Sequence, residues 1–178
     1  MPSTPPPTRI AFIGVGGIAQ EHLRSLHTID GAQVVAVCDV DPAHAQQAAA
    51  PWGARTYSDY EPMLDAESLD ALYICVPPFA HTGQELAAIQ RGLPFFVEKP
   101  LDPGTGYAEQ VAAALAARPL ITAVGYQWRF FASVERARQL IGDQPIAMVL
   151  GYWLDAMPPP VWWRQKRSEE HTSELQSR

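Results

Sequence analysis

Lys99 is one of only two lysines in the chain, the other being Lys166, and it stands between Glu98 and Pro100 directly after the apolar run 95–97. In a parallel sheet the ligand crevice opens at the carboxyl ends of the strands, which is where this amine falls. Held near a positive charge and partly desolvated, a lysine has a lowered pKa and can polarise a substrate hydroxyl or relay its proton. Taken alone, a lysine after a strand is more often a solvated loop residue.

A second set of residues addresses a phosphate. The segment Arg9-Ile-Ala-Phe-Ile-Gly14-Val-Gly16-Gly17-Ile18-Ala19 runs from an apolar strand into a helix. Gly14 permits a tight turn, Gly16 lets backbone approach a pyrophosphate, and Ala19 is small enough for the helix to pack on the sheet. The helix start at Gly17 and Ile18 offers free N–H groups and the positive end of a dipole. Asp39 follows 20 residues after Ala19, at the end of the next apolar run. A carboxylate there accepts hydrogen bonds from the adenosine ribose and repels a 2′-phosphate. The next arginine after it is Arg55, so NAD is expected in preference to NADP. The plainer role for Asp39, a helix cap, falls better to Asp41, next to Pro42.

These groups need a scaffold, and the chain supplies apolar runs alternating with helical segments. Runs at 10–13, 34–37, 71–76, 95–97 and 120–124 read as strands, and 54–57 (Ala-Arg-Thr-Tyr) as a weak one. Segments 17–29, 59–64, 82–91 and 107–117, with an Ala- and Gln-rich stretch after Pro42, read as helices. In the first, Ala19, Leu23 and Leu26 share one face. Continuous apolar strands separated by helices predict a doubly wound, Rossmann-type α/β domain over residues 8–124 with a parallel sheet covered on both faces. Residues 1–7, with four of the 17 prolines, read as a disordered, solvated tail.

After Gly125 the pattern changes. Residues 133–141 look helical, 146–154 read as a strand, and Pro158-Pro159-Pro160 and Trp162-Trp163 follow. One helix and one strand do not make a domain, so 125–166 reads as the incomplete start of a second, α+β domain for substrate and oligomerisation. Residues 167–178 are almost without apolar side chains, and their back-translation resembles a sequencing-library adapter. They are expected to be non-native, the alternative being an ordinary polar tail.

Composition narrows the partners. With 178 residues, 47% of them apolar, the chain can bury a core. A formal net charge of −6 argues against nucleic acid or an anionic membrane as partner. Cys38 and Cys75 lie inside apolar runs without metal spacing and read as buried thiols, so no metal is expected. No apolar run is long enough to span a membrane, and the opening residues lack a signal-peptide core. A cytoplasmic protein is expected.

At this point G-V-G-G-I-A at 14–19, E-K-P at 98–100 and G-Y-Q-W-R-F at 125–130 resemble the Gfo/Idh/MocA oxidoreductases, over residues 9–166. The resemblance implies that Lys99 is catalytic, beside nicotinamide and substrate, that Glu98 helps position the cofactor, and that Pro100 shapes its turn through a cis bond. Pro77 and His81 match a T-P-N-x-x-H segment lying over the cofactor, although Val76 and Phe79 replace its Thr and Asn. His81 reads equally as a helix-start residue. Gln127 and Arg129 match a segment reaching the nicotinamide end; Arg129 reads equally as an interdomain salt-bridge partner. Trp162 and Trp163 align with a loop near the substrate pocket or simply pack. The family's second domain carries a D-x-x-x-H acid–base pair that this chain lacks.

The expectation is therefore an NAD(P)-dependent oxidoreductase of sugars, polyols or inositol-like secondary alcohols, inactive as this polypeptide, with a homo-oligomeric parent. The rival is a non-catalytic dinucleotide-binding module that regulates a partner.

Overall fold

The computed structural model describes residues 5–152 except 103 and 105. Six strands alternate with helices: β1 (Thr8–Ile13), α1 (Gly17–Leu26), β2 (Ala32–Cys38), α2 (Pro42–Ala49), β3 (Arg55–Tyr57), α3 (Tyr60–Ala66), β4 (Ala71–Ile74), α4 (Gln84–Arg91), β5 (Phe95–Val97), α5 (Tyr107–Ala117) and β6 (Thr122–Val124). All pairings are parallel and the order is β3-β2-β1-β4-β5-β6. The chain starts in the middle of the sheet, builds outward to β3, returns beside β1 and builds outward again. That reversal leaves a crevice at the carboxyl ends of β1 and β4, the switch point of a doubly wound fold.

The alternation of β1 divides the core in two. Ile10 and Phe12 face one layer with Ala19, Leu23 and Leu26 of α1 and Ala45 and Ala48 of α2. Ala11 and Ile13 face the other with Met63, Leu72, Ile74, Ala88 and Val97. Residues on both sides of each central strand are therefore apolar, which a sheet covered by helices on both faces requires. Ala19 has no exposed surface, so the helix start presses directly on the sheet.

Element boundaries follow local chemistry. Asp41 and Asp59 accept hydrogen bonds from Ala43 N and Glu61 N and so cap α2 and α3. The expected helix at 82–91 begins only at Gln84. Gly83 has φ +143° and lies outside helical space, while the Gln84 side-chain oxygen turns back to accept from the Thr82 and Gly83 amides. Cys38 and Cys75 are both buried and unpaired, and burial pushes both thiols up, Cys38 to about 11.

Residues 5–125 and 126–152 belong to separate compact units. In the second, a turn at Gln127–Phe130 precedes α6 (Ala132–Ile141). The strand expected at 146–154 is corrected: residues 146–152 form none, and 153–154 lie outside the described residues. An apolar extended segment becomes a strand only when a neighbour takes its backbone hydrogen bonds. The tail at 1–4, the proline and tryptophan runs at 158–163 and the segment 167–178 also lie outside the described residues.

Candidate functional site

Gly14 ends β1 in a turn that a side chain would not tolerate. Its φ is +79°, and a β-carbon would lie 2.8 Å from the Cys75 carbonyl oxygen. Its amide donates to the Cys38 carbonyl at 2.8 Å, which fixes the turn between β2 and β4. Gly16 caps α1 and Gly17 begins it. A β-carbon on either meets no atom within 4 Å, so the space over the helix start is open. Ile18 is half exposed beside that space, while Ala19 is buried beneath it. The first-turn amides of α1 have no partner inside the helix, and together with the dipole they form an anion cradle.

Asp39 stands next to this cradle and is tied into it. One carboxylate oxygen accepts from the Val15 amide at 2.8 Å and the other from the Asp41 amide at 2.9 Å. The Gln20 side chain holds the same loop from the other side through the Val15 carbonyl at 3.0 Å. Each Asp39 oxygen keeps a further lone pair for an incoming hydroxyl. Asp39 thus orders the glycine loop as well as facing the crevice, a second duty that its position in the sequence does not reveal. The crevice measures about 420 Å³ and includes Gly14, Asp39, Val40, Asp59, Val76 and Pro77 in its lining.

Beyond β5, Glu98 is buried, and its amide continues the ladder to the Ile74 carbonyl at 2.8 Å. Its Oε2 accepts from the Lys99 amide at 3.0 Å, and its Oε1 lies 2.8 Å from His22 Nε2. The carboxylate also lies against Gly125, where a β-carbon would fall 2.9 Å from Oε2. The Lys99–Pro100 bond is cis, as the motif implied. His22 has no assigned role in the sequence reading. The structure makes it the link from α1 to the segment carrying Lys99, its ring edge-on to Phe96 at 4.9 Å. The available signal was its place three residues after buried Ala19, on the margin of the inward face.

After β4, Pro77 opens a short turn over Pro78–Ala80 and lines the crevice. His81 follows that turn and does not start a helix. Its Nδ1 lies 2.6 Å from Glu85 Oε1, and the Tyr107 hydroxyl donates to Glu85 Oε2 at 2.8 Å. Burial, then the Glu85 charge, pushes the Tyr107 hydroxyl up. His81 Nε2 is buried without a hydrogen-bond partner. Glu85 and Tyr107 were not foreseen; the one hint was the four-residue interval from His81 to Glu85. Gln127 and Arg129 belong to the second unit, where the Arg129 guanidinium lies 5.9 Å from the centroid of the Tyr126 ring.

The cradle, the carboxylate beside it and the open volume over Gly16 fit a dinucleotide: the donors suit a diphosphate and Asp39 suits a ribose diol. Comparison with known proteins agrees. Residues 8–126 match the GFO_IDH_MocA family, described as an oxidoreductase family with an NAD-binding Rossmann fold. An inositol 2-dehydrogenase of Pseudarthrobacter chlorophenolicus is 36% identical over 147 residues, covering 80% of this chain and 43% of that protein. A 4-carboxy-2-hydroxymuconate-6-semialdehyde dehydrogenase of Sphingobium is 32% identical over 123 residues, covering 68% of this chain and 39% of the relative. Among solved structures, myo-inositol 2-dehydrogenase of Lactobacillus plantarum superposes with a TM-score of 0.70 at 30% identity, over 76% of this chain and 41% of that one. The WlbA dehydrogenase of Bordetella pertussis, in complex with NADH and UDP-GlcNAcA, gives 0.69 at 28% identity, over 76% and 42%. The chain thus spans about two fifths of the length of these relatives, and it belongs to the Gfo/Idh/MocA oxidoreductase family through its NAD-binding Rossmann fold.

Proposed function

We propose that this chain is the cofactor-binding portion of an NAD-dependent dehydrogenase acting on a secondary alcohol of a sugar, polyol or inositol. The observation that carries the reading is the joint construction of the cradle. Gly14 is locked between β2 and β4, Gly16 leaves open space over α1, and Asp39 binds the loop while facing the crevice. The inositol 2-dehydrogenases among its relatives support the substrate class.

The bound nicotinamide supplies a hydride acceptor at its C4. The first-turn amides of α1 hold the diphosphate, and Asp39 accepts from the ribose hydroxyls. Lys99 extends from the segment after β5, where its amine would polarise the substrate hydroxyl and relay the released proton toward solvent while the bound nicotinamide would accept the hydride. Glu98, bonded to His22 and to the Lys99 amide, fixes the direction of that segment. Pro77 closes the crevice beside β4, and His81 lies in the segment that follows. Gln127 and Arg129 remain candidates for the nicotinamide end on their motif alone.

Proton removal from the substrate by a positioned base contributes roughly 10²–10⁴ in rate, and orientation of the substrate contributes more. Among the described residues the chain supplies the cofactor cradle, and it spans about two fifths of the length of its dehydrogenase relatives. The 178-residue polypeptide is therefore expected to bind NADH without turning over inositol or sugar substrates. Titration with NADH, followed by nucleotide fluorescence, tests the first half: saturable binding that Gly16→Val abolishes is expected, and no binding overturns the reading. Sustained NADH production from NAD and inositol by the same polypeptide overturns the second half.

A further inference from the structure

The crevice holds a second carboxylate. Asp59 lines it together with Asp39, and the charged groups among its described lining residues are these two acids, with no lysine or arginine. The arrangement follows from the sheet. Cys38 at the end of β2 pairs with Tyr57 at the end of β3, and the Asp39 amide donates to the Tyr57 carbonyl at 3.1 Å. Asp39 and Asp59 therefore leave the same edge on adjacent strands, one residue after β2 and two residues after β3. The buried Cys38 thiol feels both: after burial itself, Asp59 and then Asp39 raise it. Arg55, the nearest arginine in sequence to this edge, lies at the opposite end of β3. Its guanidinium is committed to Glu67 there, with 2.5 Å contacts to both carboxylate oxygens.

We propose that Asp59 is a second cofactor-specificity determinant, whose charge, added to that of Asp39, excludes the 2′-phosphate of NADP from the crevice. The inference rests on the dinucleotide reading and deepens it. A 2′-phosphate carries close to two negative charges at neutral pH, and a cation is what normally admits it to this end of the fold. Here it meets two carboxylates and no cation among the described lining residues. Asp39 alone reads as the usual partner of a ribose diol; Asp59 adds repulsion without adding a necessary ribose contact. Its structural duty is separable from its charge, because one side-chain oxygen caps α3 by accepting from the Glu61 amide at 3.1 Å. An amide or hydroxyl can do the same.

The test is the ratio of NADPH to NADH affinity in the 178-residue chain, read by nucleotide fluorescence. Asp59→Asn keeps the cap and removes the charge. It should tighten NADPH about three- to tenfold at low ionic strength and leave NADH unchanged, the gain shrinking as salt rises. Asp59→Ser should behave likewise, and Asp59→Glu should retain the wild-type ratio. The wild-type chain provides a check that needs no variant: added salt should raise its NADPH-to-NADH ratio. A ratio unmoved by both neutral variants, with NADH binding intact, overturns the role of Asp59 whatever the salt response of the wild type, which Asp39 alone can produce. Failure of the wild-type chain to bind either nucleotide removes the dinucleotide reading itself, and this inference with it.

Discussion

His22 Nε2 lies 2.8 Å from Glu98 Oε1, joining the helix that begins at the glycine loop to the residue preceding Lys99 across 76 positions of sequence. Both side chains are largely enclosed. Glu98 spends its other oxygen on the Lys99 amide, so the contact sets the carboxylate and the start of the Lys99 segment together. One partner presents a proton and the other a lone pair, so the contact is a hydrogen bond whichever group donates. Removing the ring by His22→Phe keeps the aromatic contact with Phe96 but leaves an enclosed carboxyl group short of a partner. A loss of about 1–3 kcal/mol in denaturant unfolding is expected. In a double-mutant cycle with Glu98→Gln the two losses should not add, and additive losses would show that the pair is not coupled.

Gly14→Ala and Gly16→Ala should separate folding from binding. At Gly14 the new β-carbon meets the Cys75 carbonyl at 2.8 Å, and the backbone has φ +79°, so destabilisation of roughly 2 kcal/mol or more is expected. At Gly16 the φ is −67° and the β-carbon meets nothing within 4 Å. That variant should melt within a few degrees of wild type yet bind NADH much more weakly, because the methyl occupies the space for the diphosphate. Thermal melts beside NADH titrations check both. Equal NADH affinity in Gly16→Ala and wild type would remove the diphosphate from that space.

The difference between these two glycines was readable from sequence only in part. The turn, the strand before it and the acid at 39 form a local pattern, and the backbone chemistry of a diphosphate site dictates that spacing. The four central strands were legible because strands buried on both faces are continuous apolar runs, as Ala71–Ile74 and Phe95–Val97 are, whereas the edge strand Arg55–Tyr57 is largely exposed and carries only a weak pattern. Contacts that close over distance left no such trace. His22 with Glu98, and Tyr107 with Glu85, depend on the stacking of helices and strands far apart in the chain. The strand expected at 146–154 failed for the converse reason: an apolar run specifies an extended tendency, but ladder formation depends on a neighbour.

Acid sensitivity should concentrate at Glu67, at the sheet edge away from the crevice. Burial raises its carboxyl, but hydrogen bonds from Arg55 and Tyr57 and the charges of Arg55 and Arg9 outweigh it, holding the group below the usual carboxylate range. A carboxyl with a depressed folded-state pKa stabilises the protein above its unfolded value and loses that contribution as pH falls through the folded value. Stability should thus decline as pH drops from the ordinary carboxylate range toward and below the Glu67 value. Glu67→Gln should be less stable at neutral pH and show a shallower acid dependence. Urea unfolding of both proteins across that range checks it, and parallel curves would count against Glu67.

Cys38 offers a chemical reporter of the crevice. Its thiol is pushed up to about 11, first by burial and then by Asp59 and Asp39, so almost none of it is the reactive thiolate at neutral pH. Alkylation by iodoacetamide should therefore be slow at pH 7 and rise about tenfold per pH unit toward that value. Saturating NADH should protect Cys38, which lines the crevice, more than Cys75, which does not appear in its lining. Asp59→Asn should speed modification of Cys38 modestly by removing one of the charges that oppose the thiolate. Mass spectrometry of the two cysteine peptides distinguishes them, and unprotected Cys38 at saturating NADH would place the nucleotide outside the crevice.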